Sequence, residues 1–159
     1  MIVSKDIPEN LYRKGVGIVL FNNDKEIFVG KRIKNRSNLW QMPQGGIEPN
    51  EDEVKAAFRE LKEETGIENC EFIAKSLKYY YYNLPYSLQK KFWHGKFIGQ
   101  KQRWFLFKYK GNQKDIDLQY DRAEFSQYKW VTVETLFKSV VEFKKNMYKE
   151  IIEEFKEFL

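Results

Sequence analysis

The chain has 159 residues, of which 42% are hydrophobic and 17% aromatic, so we expect one domain over residues 1–159 with a single buried core. This composition excludes a disordered chain. Lys and Arg number 28 against 23 Asp and Glu, and a basic surface favours a polyanionic substrate, although a modest excess is also common in proteins that bind no nucleic acid.

The N-terminal segment and the single Cys70 bear on the compartment. Residues 1–15 lack the apolar core of a signal peptide, and no apolar run approaches the roughly eighteen residues of a membrane span. One cysteine allows no intrachain disulfide, which is compatible with a reducing cytosol. We therefore expect a cytoplasmic protein that acts away from membranes, and the sequence indicates no required protein partner.

Hydrophobic patterning predicts strands followed by a long final helix. β-Branched and aromatic runs predict strands over residues 15–21, 27–31, 72–82, 101–110 and 127–131. The first two form a hairpin around residues 22–24, and the uninterrupted apolar run at 104–107 predicts a strand that is covered on both faces. The helix runs from about 135 to 158, with an apolar stripe interrupted only by Lys144. A mixed sheet between two helices accommodates these elements.

A second helix is predicted inside residues 45–67, which read GGIEPNEDEVKAAFRELKEETGI. Asn50 followed by Glu53 has the form of an N-cap with its capping-box partner, so the helix should begin near Glu51. Gly66 should end it in the left-handed conformation. One helix face is apolar and predicts contact with the core, through Val54, Ala57, Phe58 and Leu61.

Glu60, Glu63 and Glu64 fall together on an adjacent flank of this helix, because residues three and four apart are neighbours on a helix surface. Such acidic runs usually face water. Here only Arg59 and Lys62, at the margins of the flank, are available to neutralise them, and a hard divalent cation would relieve the repulsion. Carboxylate ligands with open positions for water and phosphate suit Mg²⁺ or Mn²⁺.

The same stretch resembles the Nudix box, a glycine and a glutamate followed by R-E-apolar-x-E-E-x-G-apolar. The matching positions are Gly45, Glu51, Arg59, Glu60, Leu61, Glu63, Glu64, Gly66 and Ile67, with no mismatch. The resemblance implies an α/β/α sandwich with a central mixed sheet and a C-terminal amphipathic helix.

The resemblance also implies roles. It assigns the metal to Glu60, Glu63 and Glu64, makes Glu51 and Arg59 structural supports, and makes Gly45 a tight bend. A further acid often comes from a loop across the pocket, for which Glu124 is the candidate; the alternative is an exposed loop acid. Either Glu64 or Glu124 could accept the proton of the attacking water, since a general base is identified by reach and pKa.

Longer segments, YRKGVGIVL, LWQMPQGGIEPNE, GQKQRWFLF and SVVEFKKNMY, are similar to the bacterial RNA pyrophosphohydrolase branch of Nudix hydrolases. This similarity implies hydrolysis of the 5′-triphosphate end of RNA to a monophosphate, with release of pyrophosphate or phosphate, and so a role in mRNA degradation. One alternative substrate is a dinucleoside polyphosphate such as diadenosine tetraphosphate. A noncatalytic RNA-binding module is a further alternative, against which the intact glutamates argue.

Candidate phosphate ligands are basic and amide side chains near predicted strand ends. They are Arg13, Arg32, Lys101 and Arg103, with Gln41, Gln44, Gln100 and Gln102 as neutral donors.

The final helix contributes the candidate RNA-base contacts. The resemblance implies that Arg32 and Phe143 sandwich one base, with Val141 and Lys144 beside the next. Alternatively, Phe143 is an aromatic residue at the rim of the core and Lys144 is solvated. Glu142 is unfavourable beside RNA unless it points outward, the tyrosines of 79–82 favour strand packing, and His94 favours a structural or incidental role.

Overall fold

The computed structural model describes residues 8–33 and 39–159. Its described part contains one seven-stranded sheet, whose central strands follow the order β4-β6-β1-β2-β7. The strands are β1 (Tyr12–Phe21), β2 (Ile27–Arg32), β3 (Gln44–Gly46), β4 (Cys70–Lys75), β5 (Tyr80–Asn83), β6 (Gly99–Tyr109) and β7 (Phe125–Val131). Strand β3 pairs with β1, and β5 pairs with β6. The sheet is mixed, because β1 and β6 are parallel and the other pairings are antiparallel.

Four α-helices accompany the sheet within the described residues: α1 (Glu53–Thr65), α2 (Tyr86–Gln89), α3 (Val133–Ser139) and α4 (Glu142–Phe155). Short 3₁₀ turns lie at Glu9–Leu11, Trp93–Gly95, Gln113–Asp115 and Lys156–Phe158. No helix in this part of the chain combines the length and apolar character that crossing a bilayer requires.

The core consists of two layers, one on each face of the sheet. On one face, Ile18 and Phe105 pack with Leu61 of α1. On the other face, Trp104 packs with Ile151 of α4. The predicted α/β/α sandwich and the two-sided cover of the 101–110 strand are therefore confirmed, and β6 has the expected near-continuous burial.

Helix α1 begins two residues later than predicted. Asp52 is its N-cap and accepts hydrogen bonds from the backbone N–H groups of Val54 and Lys55, at 3.1 and 3.2 Å. The prediction of Asn50 as the cap is wrong, because Asn50 adopts a left-handed φ of 62° in the preceding turn. Gly66 ends the helix as predicted, with φ 73°.

The predicted single C-terminal helix is wrong, since the chain breaks at Val140 and Val141. Both residues are extended, and Val140 forms a parallel bridge with Trp40, whose N–H bonds Ser139 O at 2.9 Å. This break separates α3 from α4 and lets α4 change direction.

The predicted strand over 72–82 is two strands, β4 and β5, separated at Ser76. The Ser76 hydroxyl donates to Lys78 O at 2.7 Å and accepts from Trp104 N at 3.0 Å, which turns the chain while both strands keep pairing with β6. The β1–β2 hairpin is confirmed by the pairing of Phe21 with Ile27. Strand β3 was not predicted.

Candidate active site

A cavity of about 510 Å³ opens where α1 meets β1, β3 and the start of α4. Two acidic residues of α1, Glu60 and Glu64, line one side. Its lining also includes Arg13, near the start of β1, Arg32, at the end of the antiparallel β2, and Lys144 of α4. The fold therefore brings an acidic group and a basic group to the same opening.

Gly45 and Gly46, at the start of the box, allow close packing of this site. A Cβ atom on Gly45 would lie 1.9 Å from Cδ of Glu60, and one on Gly46 would lie 2.2 Å from an Nη atom of Arg13. Any side chain at either position would displace a charged group of the cavity. The predicted tight bend at Gly45 is wrong, because Gly45 lies within strand β3 and pairs with Val16; the position requires glycine because Glu60 packs against it.

Arg59 joins the loop before α1 to the acidic flank. Its guanidinium donates twice to Glu51, at 2.7 and 2.8 Å, and to Gly46 O at 2.9 Å. The same group donates to Glu60 at 2.9 Å and to Glu63 at 3.1 Å. These bonds lower the pKa of Glu51 and raise the pKa of Arg59. Arg59 is therefore the centre of the acidic flank and not its margin.

Glu64 is the buried carboxylate at the base of the cavity, with 5% of its surface exposed. Its Oε2 atom has no hydrogen-bond partner among the described residues. Burial, reinforced by the charges of Glu60 and Glu124, raises the pKa of Glu64 well above its ordinary value. Burial also raises the pKa of Glu60, against the opposing effect of Arg59.

A hard cation fits this donor set, because desolvated carboxylates with an unpartnered oxygen are the ligands that Mg²⁺ or Mn²⁺ prefer. In the described part of the chain, however, no three acidic, Cys or His side chains already converge as a cation site. The contact between Arg59 and the carboxylates of Glu60 and Glu63 gives a physical reason. Arg59 occupies one carboxylate oxygen of each of these two acids.

The other two predicted metal ligands differ in position. Glu124 lies in the loop before β7, lines the cavity and forms an ion pair with Arg32 at 3.5 Å. Glu63 is outside the cavity lining and is held by Arg59, with Arg122 at 3.9 Å. Glu60, Glu64 and Glu124 therefore line the same cavity, although they do not converge on one point.

Most predicted substrate contacts reach the cavity. Its lining includes Arg13, Arg32, Gln44, Gln100, Val141, Phe143 and Lys144. Lys101 does not reach it and instead pairs with Glu9 at 2.8 Å. The reason is strand alternation, which points Gln100 toward the cavity and Lys101 to the opposite face of β6. Arg103, on the same face as Lys101, donates to Ser76 O at 2.9 Å.

Lys144 is buried, with 3% of its surface exposed, so the solvated alternative is wrong. Its ammonium donates to Gln44 Oε1 at 3.2 Å, and Gln41 Oε1 lies 3.5 Å away. Burial and the charge of Arg32 lower the pKa of Lys144 to about 7, against the opposing charge of Glu64. Lys144 can therefore gain or lose a proton near neutral pH.

Phe143 lines the cavity beside Lys144, with its ring 5.8 Å from that of Tyr82. Glu142 is exposed and outside the lining, so its charge does not oppose a ligand there. His94 is also exposed and outside the lining, in keeping with a structural or incidental role.

Four aromatic residues of the cavity lining, Trp40, Tyr82, Phe92 and Trp93, were not predicted as site residues. The Tyr82 hydroxyl accepts from Gln100 at 2.7 Å and from Gln44 at 3.2 Å, and so orients both amides. Phe92 and Trp93 also line the cavity. Only the mixture of aromatic and basic residues in KKFWHGK could have signalled the last two, because the segment has no strand or helix period.

The chain matches the NUDIX domain family over residues 11–151. It is 46% identical to the RNA pyrophosphohydrolase of Pelagibacter ubique over 147 residues, which cover 92% of this chain and 93% of that protein. It is 47% identical to the RNA pyrophosphohydrolase of Wolbachia pipientis over 148 residues, covering 92% and 91%.

Solved structures show the same fold at low sequence identity. The E. coli dihydroneopterin triphosphate pyrophosphohydrolase superposes with a TM-score of 0.70 at 19% identity, covering 88% of this chain and 96% of that one. A C. elegans Ap4A hydrolase binary complex superposes with a TM-score of 0.63 at 22% identity, covering 87% and 94%.

Proposed function

The chain belongs to the NUDIX domain family, and we propose that it is a metal-dependent RNA pyrophosphohydrolase that converts the 5′-triphosphate end of RNA to a 5′-monophosphate. One observation carries the proposal: the buried acids Glu60 and Glu64 line the same cavity as Arg13, Arg32 and Lys144. The relatives with this activity in their names align over more than nine-tenths of the chain.

A triphosphate suits this arrangement of charge. Its oxygens repel an attacking hydroxide, so catalysis depends chiefly on neutralising them. Glu60, Glu63, Glu64 and Glu124 would hold a divalent cation, Mg²⁺ or Mn²⁺, which would supply that neutralisation and make water more acidic. Arg13 and Arg32 present forked N–H donors that match phosphate oxygens.

Proton transfer is assigned to a carboxylate of the same group. Glu64 has an unpartnered oxygen that can accept a proton from water, whereas Glu124 is paired with Arg32. Either residue remains a candidate general base, and substitution of each by glutamine with a pH profile distinguishes them. The other carboxylates then serve as ligands.

RNA recognition is assigned to the rim of the cavity. Phe143 offers a ring for base stacking opposite Arg32, and Val141 and Lys144 lie beside the next base in this proposal. The segment between β5 and β6 carries exposed Lys90, Lys91 and Lys96 and no acidic residue from 84 to 98. This basic segment favours binding of the RNA backbone where it leaves the cavity.

The proposed compartment is the cytoplasm.

The test is a side-by-side measurement of kcat/KM on a 5′-triphosphorylated oligoribonucleotide and on diadenosine tetraphosphate, with Mg²⁺, with Mn²⁺ and with chelator. We expect the RNA to be the better substrate and chelator to abolish turnover. A preference for diadenosine tetraphosphate would establish the dinucleoside polyphosphate alternative. RNA binding without release of phosphate or pyrophosphate would establish the noncatalytic alternative. Glu150→Gln, an exposed change on α4, is the matched control.

A further inference from the structure

Two aromatic residues between β5 and β6 each face one arginine of the cavity. The guanidinium carbon of Arg13 lies 5.3 Å from the ring centroid of Trp93. That of Arg32 lies 6.0 Å from the ring centroid of Phe92. Both distances fall within the range of cation–π attraction.

The two arginines differ in what else holds them. Arg32 is paired with Glu124 at 3.5 Å. Within residues 8–33 and 39–159, the Arg13 guanidinium forms no hydrogen bond or ion pair, although Glu60 attracts it at longer range. Among the described residues, the Trp93 ring and the closely packed Gly46 are therefore the contacts that restrict its orientation.

A cation–π contact leaves N–H donors of the guanidinium available. Arginine has five N–H donors, and one aromatic ring cannot engage all of them. Arg13 can thus contact Trp93 and a phosphate at the same time. A carboxylate partner would instead use the donors that a phosphate needs.

The backbone around Trp93 indicates that the ring is held in place by its surroundings. Trp93, His94 and Gly95 have φ values of 50°, 59° and 72°. Left-handed conformations are uncommon for residues with a Cβ atom and persist where surrounding contacts impose them. The Trp93 ring also contacts the rings of Phe92 and Phe97, at 5.7 and 6.2 Å between centroids.

We propose that Trp93 is a positioning residue whose ring holds the Arg13 guanidinium with its donor edge toward the substrate phosphates. This inference rests on the proposed function, because it assumes that the cavity binds a chain of phosphates. Loss of the ring should release Arg13 before substrate binds. Substrate affinity should therefore decline more than the chemical step.

The experiment is a double-mutant cycle of Trp93→Leu and Arg13→Ala, measured as kcat/KM on 5′-triphosphorylated RNA. We expect Trp93→Leu to reduce kcat/KM by about tenfold, mainly through KM, which is the size of a partly desolvated cation–π contact. In the Arg13→Ala background the same change should have less than about a twofold effect. Trp93→Tyr should restore most of the loss, because it keeps an aromatic face.

Tyr86→Leu is the matched control, since Tyr86 is in the same segment, 78% exposed and outside the cavity lining. It should leave kcat/KM unchanged. Equal losses from Trp93→Leu in the two backgrounds would overturn the proposal, as would no loss from Trp93→Leu alone. If Trp93→Leu does not fold, Trp93→Tyr and Trp93→Met supply the same comparison.

A binding cycle separates this proposal from the proposed function. The Glu64→Gln variant serves as the parent protein, and Trp93→Leu and Arg13→Ala are added to it singly and together. The affinity of these four proteins for inorganic tripolyphosphate is measured by calorimetry with Mg²⁺. A wild type without turnover on RNA would refute the proposed function, whereas coupling between Trp93 and Arg13 in tripolyphosphate binding would still support the positioning role. Additive effects in that assay would overturn it.

Discussion

Substitution of Glu64 by glutamine should lower activity and raise the stability of the metal-free protein. Glu64→Gln keeps the size of the side chain and removes one buried negative charge. We expect turnover of triphosphorylated RNA to decline by about 10²–10⁴-fold, the range for loss of an acid–base group. RNA binding should remain measurable, because the proposed base and phosphate contacts are retained.

The same substitution should stabilise the metal-free fold. Glu64 is 5% exposed, its Oε2 atom lacks a partner among the described residues, and Glu60 and Glu124 repel it. An unsatisfied buried polar group costs about 1–3 kcal/mol, and more when it is charged. In a chain of this length 1 kcal/mol corresponds to about 2–4 °C in Tm. We therefore expect Tm to rise by about 4–8 °C in chelator for a gain of about 2 kcal/mol.

Thermal unfolding with chelator and with Mg²⁺ provides the assay. Wild type should gain stability from the cation, since a ligand that binds only the folded state stabilises it, and Glu64→Gln should gain less. Glu150→Gln, which neutralises an exposed acid of α4, should change neither turnover nor Tm appreciably. Turnover within tenfold of wild type, or a lower Tm in chelator, would refute the reasoning.

Three other predictions follow from the cavity. Phe143→Ala should reduce kcat/KM on triphosphorylated RNA more than on diadenosine tetraphosphate, through the loss of about 1–3 kcal/mol of base stacking; equal losses would show that the ring only packs. The pKa of Lys144 is about 7 in the folded protein, against an ordinary value of 10.5, so the unfolded chain binds this proton more tightly. The free energy of unfolding therefore declines as the pH falls from 10.5 to about 7. Lys144→Met should therefore raise Tm more at pH 6 than at pH 9, and an equal rise at both would contradict the burial of the charge. Arg59→Met should cost about 3 kcal/mol of unfolding free energy in urea titrations by leaving Glu51 unpaired, and an unchanged midpoint would mean that these bonds do not form in solution.

Sequence periodicity predicted the two helical layers and most of the sheet, and failed where distant residues decide the local structure. The C-terminal stripe continues through Val140 and Val141, so no local signal marks the break. The backbone there pairs with Trp40, about a hundred residues earlier, and this tertiary pairing overrides the helical pattern. The N-cap of α1 was ambiguous for another reason, since Asn50 and Asp52 are both good caps.

Glu60 and Glu64 were predictable as neighbours because they share one helix turn, whereas Glu63 of the same turn lies outside the cavity lining and Glu124 comes from a distant loop. The glutamates of α1 have a fixed relation to one another, which sequence spacing gives directly. The basic half comes from two strands, β1 and β2, and from helix α4. Lys101 is predicted as a phosphate ligand because it is basic and near a strand end, yet adjacent strand residues point to opposite faces. The aromatic neighbours of the arginines, Phe92 and Trp93, depend on an irregular segment that no period describes.

The parallel pairing of β1 with β6 affects how the chain folds. Paired residues of the two strands are about 90 positions apart along the chain, from Tyr12 with Gly99 to Phe21 with Lys108. Closing so long a loop costs chain entropy before the strand contacts can stabilise it. During synthesis, β1 can pair first with β2 and β3, and its other edge has no partner until about two-thirds of the polypeptide has emerged. We expect refolding to be slow for a domain of this size. In a variant with Trp40, Trp93 and Trp130 replaced by Phe, stopped-flow fluorescence of Trp104, which is buried on β6, should report the step that joins the two strands.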